Sequence, residues 1–194
     1  MSKTLKLALA ASAIAAASWA TAAPLNIAGA LSNTDPLYNR LVSGNPPVLL
    51  SGVGTAVRYD IYNFYVTVTG SYRMETLSAA FTTATADDTF ITLYLGSGFT
   101  AGTPLVGALE ADDDSGVGFL SLINRNLVAN TNYSLVITSF ANGQLGNYTG
   151  IIAAAVGQAG DVIAGTVPVS APATGALVAL ALAGLALTSR RRAS

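Results

Sequence analysis

The densest group of reactive side chains in this sequence is an acidic run in the stretch EADDDSGVG. Glu110 is followed closely by Asp112, Asp113 and Asp114. Like charges at this spacing repel one another unless water or a cation neutralises them. Calcium takes about six to eight oxygen ligands, and carboxylates supply them well. The stretch therefore predicts either a solvated acidic turn or a calcium site.

Asp88 extends the calcium hypothesis because it opens the stretch DTFITLYLG, whose β-branched and aromatic residues predict a strand. If that strand lies beside the acidic run, its first carboxylate reaches the same place. The run is not an EF-hand loop, since Val117 and Ile123 stand where that loop needs Gly and Glu. The candidate calcium ligands are Asp88, Asp112, Asp113 and Asp114.

Composition excludes several classes of catalytic site, because the chain has no cysteine and no histidine. Disulfides, Cys/His zinc sites, Ser-His-Asp triads and Cys-His pairs each need one of these residues. The two lysines, Lys3 and Lys6, stand at the N-terminus, so no serine of the body has a lysine partner. The enzyme class that stays open is a hydrolase acting through two carboxylates.

The N-terminus has the three parts of an export signal. Lys3 and Lys6 form a basic region, residues 7–19 form an uncharged apolar run, and small residues end at Ala22. The apolar run is short for a bilayer span of about 20 residues. We therefore expect a signal peptide over 1–22, cut by signal peptidase so that Ala23 becomes the first residue.

The C-terminus is a second apolar segment. From Ala171 to Ser189 there are 19 residues without a charge, and Arg190, Arg191 and Arg192 follow. This length predicts a transmembrane helix with the arginines on the cytoplasmic side.

The last 25 residues, 170–194, together with the proline-containing lead-in before them, resemble the PEP-CTERM sorting signal of Gram-negative bacteria. Pro168 and Pro172 stand where the family has Pro-Glu-Pro, with Val-Ser-Ala between them, and the apolar span and arginines complete the order. The resemblance implies processing by exosortase, a membrane-embedded cysteine protease-like enzyme. The protein is then held in the inner membrane only until the tail is removed, and it ends at the cell surface or outside the cell.

Loss of both terminal segments leaves an acidic body. Five of the nine basic residues lie in those segments, so four arginines remain against ten acidic residues, a net charge of about −6. A surface of this charge repels phosphate backbones, and we expect no nucleic-acid partner.

The body reads as short alternating runs separated by Gly, Asn and Asp turns, which favours an antiparallel β-sandwich of seven or eight strands. The expected order is a loop-rich lead-in over 23–47, a sandwich over 48–155 and a linker over 156–169. Within the sandwich, Val57 and Tyr59 share one alternation phase, whereas Phe64 and Val66 share the other. That switch predicts a bulge or bend near Tyr62.

The body also resembles the bacterial pre-peptidase C-terminal domain. The resemblance rests on YDIYNFYVTVTGSYRM, then DDTFITLYLGSGF with PLVGALEADDDSGVG, then NTNYSLVITSF and GNYTG. It implies a small jelly-roll sandwich without catalytic activity. Members of that family bind collagen, polysaccharide or calcium.

Tyrosines are the remaining candidates for ligand contact, either as platforms that stack on sugar rings or as ordinary core residues. They are Tyr59, Tyr62, Tyr65, Tyr72, Tyr94, Tyr133 and Tyr148.

We expect an exported structural or adhesive protein of the cell envelope or extracellular matrix, associated with exopolysaccharide and stabilised by calcium. The alternative is a calcium-dependent carbohydrate-binding module, and the third hypothesis is the carboxylate-dependent hydrolase.

Overall fold

The structure is a computed structural model that describes residues 22–82 and 87–168. The predicted transmembrane helix and all of the predicted signal peptide except Ala22 lie outside these residues. No helix capable of crossing a membrane occurs within the described ranges.

The described chain forms ten β-strands and no helix. The strands are β1 (Leu25–Leu31), β2 (Leu37–Tyr38), β3 (Val57–Val66), β4 (Gly70–Phe81), β5 (Thr89–Leu95), β6 (Ala108–Asp112), β7 (Leu122–Leu127), β8 (Tyr133–Ser139), β9 (Gly146–Ala154) and β10 (Val162–Ala164).

Two antiparallel sheets pack face to face. One has the order β1-β9-β4-β7, and the other has the order β10-β3-β8-β5-β6 with β2 paired to β3. Between them lies an apolar core to which both sheets contribute, with Tyr72 and Met74 from one and Phe64 and Leu135 from the other. The prediction of an all-β antiparallel sandwich is confirmed.

A second apolar cluster covers the other face of the six-stranded sheet. It contains Tyr38, Leu41, Val57, Phe90 and Val136. Leu41 belongs to a hairpin over residues 40–54, in which Val42 N–H donates to the Leu49 carbonyl at 2.9 Å. The hairpin and β2 thus protect a sheet face that would otherwise meet water.

Strand β3 shows why the bulge prediction near Tyr62 is wrong. Its pairing with β8 runs without a register shift from Tyr59 to Phe64. Val57 packs in the second cluster, whereas Phe64 packs in the inter-sheet core. The apolar phase changes because the two ends of one regular strand are covered on opposite faces.

The lead-in prediction over 23–47 needs correction, because β1 lies within it and is part of the sandwich. β1 pairs with β9 along its whole length, from Leu25 opposite Ile152 to Leu31 opposite Gly146. Ile27 is buried in the inter-sheet core. The strand was missed because small residues alternate with its apolar ones, which weakens the pattern.

The linker prediction over 156–169 is corrected in the same way. β10 lies inside that range and pairs with β3, with Val162 opposite Val66. Val162 is buried in the inter-sheet core. Its strand has three residues, too few for alternation to be recognised in the sequence.

One pair of sheet edges is joined by a salt bridge. Arg125 of β7 contacts Glu110 of β6, with 3.0 Å from Nη1 to Oε2, and also donates to the Leu109 carbonyl at 3.1 Å. Because β7 and β6 are the last strands of their sheets, this contact closes that side of the sandwich.

On the opposite side, two tyrosines and a glycine hold the sheets together. The Tyr62 and Tyr148 hydroxyls are 2.9 Å apart, and Tyr62 donates to the Ala28 carbonyl at 3.2 Å. Gly29 lies against both rings. A Cβ placed on it would stand 2.4 Å from the Tyr148 hydroxyl oxygen and 2.7 Å from that of Tyr62.

We predict that Gly29→Ala destabilises the protein by about 1–3 kcal/mol, because the added methyl group displaces both tyrosines. The free energy of unfolding in urea measures this. Gly52→Ala is the matched control, since nothing lies within 4 Å of its added Cβ. Equal stabilities of the two variants would show that the contact at Gly29 is not tight.

Candidate metal site

Three carboxylates converge at one rim of the sandwich. One oxygen from each of Asp88, Asp113 and Asp114 lies within 4.8 Å of the others. Asp88 is buried, Asp113 is half-buried and Asp114 is exposed. The group thus reaches from the protein surface to the edge of its core.

Asp88 is positioned by a junction of buried hydroxyl groups next to it. The Thr89 hydroxyl lies 2.7 Å from that of Thr76 and 3.0 Å from that of Ser121. The Ser121 N–H also donates to the Thr76 hydroxyl at 2.9 Å. Because Ser121 ends the acidic loop, one junction fixes both Asp88 and that loop.

Asp112 shapes the loop rather than joining the cluster. Its carboxylate accepts hydrogen bonds from the Ser115 hydroxyl at 2.6 Å and from the Leu122 N–H at 2.8 Å. This is the local side-chain-to-backbone bonding by which aspartate stabilises turns. Of the four predicted ligands, the structure therefore brings together Asp88, Asp113 and Asp114, and places Asp112 beside them in a structural role.

Arg40 lies near enough to Asp113 and Asp88 for their charges to act on it, and sequence reasoning missed it. Its side chain is 3% exposed, with the guanidinium 4.2 Å from the Phe90 ring centre and 4.3 Å from that of Phe140. Nε donates to the Phe140 carbonyl at 2.7 Å, and Nη1 donates to the Leu41 carbonyl at 2.8 Å. An isolated arginine in a Pro- and Gly-rich stretch carries no signal of this burial.

The charges of this region are coupled. Burial lowers the pKa of Arg40, while the negative charges of Asp113 and Asp88 oppose that change. Burial raises the pKa of Asp113 to about 7, and repulsion from Asp114 adds to the increase. Arg40 lowers that pKa again, but its effect is smaller than that of burial.

The cluster brings three carboxylates together, and the charges of two of them, Asp113 and Asp88, act on Arg40. Oδ1 of Asp113 is buried and has no hydrogen-bond partner among the described residues. A buried anionic oxygen without a partner is costly, and a bound cation removes that cost. Calcium fits this donor set because it is a hard cation that prefers carboxylate oxygens and tolerates irregular geometry.

The tyrosines are mostly core residues. Tyr72, Tyr94, Tyr133 and Tyr148 are all buried, so their rings are not available to stack on a ligand. Tyr59, Tyr62 and Tyr65 are half-buried.

No protein-family model matches the chain, and no curated protein matches it in sequence. Among solved structures it is similar to CBM35 from Cellvibrio japonicus Abf62, at 13% sequence identity and a TM-score of 0.33. That similarity covers 73% of this chain and 100% of the other. The proposed function therefore depends on the geometry of the acidic cluster and not on these comparisons.

We predict that Asp113→Asn stabilises the metal-free protein above about pH 7, by on the order of 1 kcal/mol after solvent screening. The folded state raises the pKa of this carboxyl, so its contribution to stability is complete below the unfolded value of about 3.9 and disappears as pH rises through about 7. Asparagine does not ionise, so the variant lacks this loss.

Urea unfolding in EDTA at about pH 5 and about pH 8 measures the effect. Asp87→Asn is the control, because it removes one charge and Asp87 is not one of the three clustered carboxylates. The prediction fails if wild type and Asp113→Asn change in parallel between the two pH values.

Proposed function

We propose that this chain is an exported, non-catalytic β-sandwich protein of the cell envelope or extracellular matrix, whose rim binds calcium. Two observations carry the proposal: Asp88, Asp113 and Asp114 each place a carboxylate oxygen within 4.8 Å of the others, and Oδ1 of Asp113 is buried without a hydrogen-bond partner among the described residues. Arg40 supplies one positive charge near Asp113 and Asp88, and a divalent cation would supply two more at the cluster.

In this proposal calcium supplies positive charge that links two segments distant in sequence. Asp88 stands at the start of β5, whereas Asp113 and Asp114 lie in the loop after β6. The hydroxyl junction at Thr89 and the turn at Asp112 place these carboxylates before any ion binds. The site is therefore preorganised, which reduces the entropy lost on binding.

The strand order supports a jelly-roll assignment. A jelly roll consists of eight strands in two sheets, wound as two Greek keys. In this chain β1, β9, β4 and β7 form one sheet, and β3, β8, β5 and β6 follow one another in the other. The proposed relation to pre-peptidase C-terminal domains implies this arrangement.

Export and sorting rest on the terminal sequences. The proposal includes cleavage by signal peptidase between Ala22 and Ala23, and then removal of the tail by exosortase. The tail segment is marked by Pro168, Pro172 and the arginines at 190–192. Between these steps the chain is anchored in the inner membrane, and afterwards it is at the cell surface or outside, with extracellular polysaccharide as the proposed partner.

A calcium-dependent carbohydrate-binding module is the second candidate, and the position of Phe119 favours it. This ring is 46% exposed, and the Phe119 carbonyl accepts a hydrogen bond from the Thr89 N–H at 3.2 Å. An exposed aromatic residue whose backbone is bonded to Thr89, the neighbour of Asp88, offers an apolar face for a sugar ring.

We predict that calcium raises the thermal stability of the wild-type protein, by about 2.7 kcal/mol at a concentration of 100 times the Kd. Asp113→Asn and Asp114→Asn should each lose most of this increase, because each removes a charged ligand. Asp87→Asn should keep it. Calorimetric melting with calcium and with EDTA measures the difference, and equal melting of wild type under both conditions would refute the calcium site.

A glycan array with calcium and with EDTA separates the two candidate functions. The carbohydrate-binding candidate predicts calcium-dependent binding that falls at least about tenfold in Phe119→Ala, while the thermal response to calcium is kept. If the array shows no binding, the structural role in the envelope or matrix remains the proposed function. Turnover of any glycan or ester by the purified protein would contradict a non-catalytic function.

A further inference from the structure

Ala23 is the point where the N-terminal segment meets the folded body. Its backbone N–H donates to Oδ1 of Asp161 at 2.8 Å. Its carbonyl accepts a hydrogen bond from the Val162 N–H at 3.0 Å. Both backbone groups of this residue are thus held by the segment that begins β10.

Asp161 is itself fixed in place. Its N–H donates to the Thr67 hydroxyl at 2.8 Å, and its carbonyl accepts from the Thr67 N–H at 3.1 Å. Thr67 directly follows β3, so the aspartate backbone is held at the end of the six-stranded sheet. The carboxylate is consequently presented to Ala23 by a rigid element.

We propose that Asp161 is the receptor for the N-terminus that signal peptidase creates, and that cleavage turns its hydrogen bond to Ala23 into an ion pair. The inference rests on the proposed export. Hydrolysis consumes one water, breaks the Ala22–Ala23 peptide bond, and leaves a carboxylate on Ala22 and an α-ammonium on Ala23. The nitrogen that was a neutral amide donor is then a cation with three hydrogens.

The change strengthens a contact at the side of the sandwich where β1 and β10 are the edge strands. Charge-assisted hydrogen bonds are roughly twice as strong as neutral ones. β1 and β10 are the edge strands on the side opposite to the Arg125–Glu110 salt bridge. After cleavage, ion pairs therefore join the sheet edges on both sides.

The capture geometry fits one position of the cut. Cleavage one residue later would remove both Ala23 groups that contact Asp161 and Val162. It would leave Pro24 as the first residue, with its nitrogen one residue farther along the chain. Only a chain that begins at Ala23 places the new amine on the carboxylate.

The sequence makes this amine unusually easy to measure. Lys3 and Lys6 are the only lysines, and both lie in the removed segment. The α-amine of Ala23 is then the one primary amine of the mature chain. An amine-reactive acylating reagent therefore reports on this group alone.

The experiment uses the mature protein purified from an exporting host, as wild type, Asp161→Asn and Asp87→Asn. The mass of the N-terminal peptide identifies the first residue. The rate of acylation as a function of pH then gives the pKa of the α-amine. Asp87→Asn is the charge control, because it lies before β5, near the end of the six-stranded sheet opposite to Asp161.

We expect Ala23 as the first residue, and an α-amine pKa about 0.5 to 1 unit above the ordinary 7.7–8.0 in wild type and Asp87→Asn. Asp161→Asn should return it to the ordinary range. Unfolding wild type in guanidinium should do the same, which tests the contact without any substitution. Since the folded pKa is raised, the stabilisation is complete below about pH 7.7 and disappears as pH rises through the folded value.

The outcomes separate the two proposals. A first residue other than Ala23 would overturn both the cleavage site and this inference. If Ala23 is the first residue but its amine has the same pKa in folded and unfolded wild type, the proposed capture by Asp161 is overturned. The proposed export is then unaffected.

Discussion

The buried guanidinium of Arg40 organises the rim of the sandwich that carries the acidic cluster. Arg40 is enclosed between the rings of Phe90 and Phe140, and two of its nitrogens donate to backbone carbonyls. A buried cation needs nearby negative charge, since the cost of desolvation otherwise exceeds what the contacts return. Asp88 and Asp113 provide that charge, so the acidic cluster and the arginine depend on each other.

The same arginine ties the hairpin to the sandwich. Its N–H donates to the Gly54 carbonyl, and its own carbonyl accepts from the Ser51 N–H, which closes the base of the hairpin over the six-stranded sheet. The hairpin covers Val57, Phe90 and Val136 from the side away from the inter-sheet core. Core packing, hairpin position and the charge of the rim are therefore linked through one residue, and the proposed calcium ion would add to the positive charge that Arg40 supplies.

The regular strands of this fold were predictable because their β-branched and aromatic residues strongly favour strand over helix or turn. DTFITLYLG has β-branched and aromatic residues on both faces, and β5 is buried at every position except Leu95. β1 was missed because residues such as Ala28 and Gly29 dilute its pattern, and its membership of the sheet depends on pairing with distant β9. A contact with a strand more than 100 residues away is not encoded in local periodicity.

The sequence predicted an acidic cluster suited to calcium, but it did not show which aspartates form the cluster. Adjacent aspartates look equivalent in sequence, yet Asp112 is used in a turn while Asp113 and Asp114 reach the cluster. Which of them takes which role depends on the loop backbone between β6 and β7. Arg40 gave no signal because its importance comes entirely from tertiary contacts with Phe90 and Phe140.

The most direct test of the account is X-ray diffraction from crystals of the protein grown with calcium, with the anomalous signal used to locate the ion. A bound calcium ion should give one strong anomalous peak within about 2.3–2.6 Å of carboxylate oxygens of Asp88, Asp113 and Asp114. Well-ordered density for these three side chains with only water between them, at millimolar calcium, would contradict it.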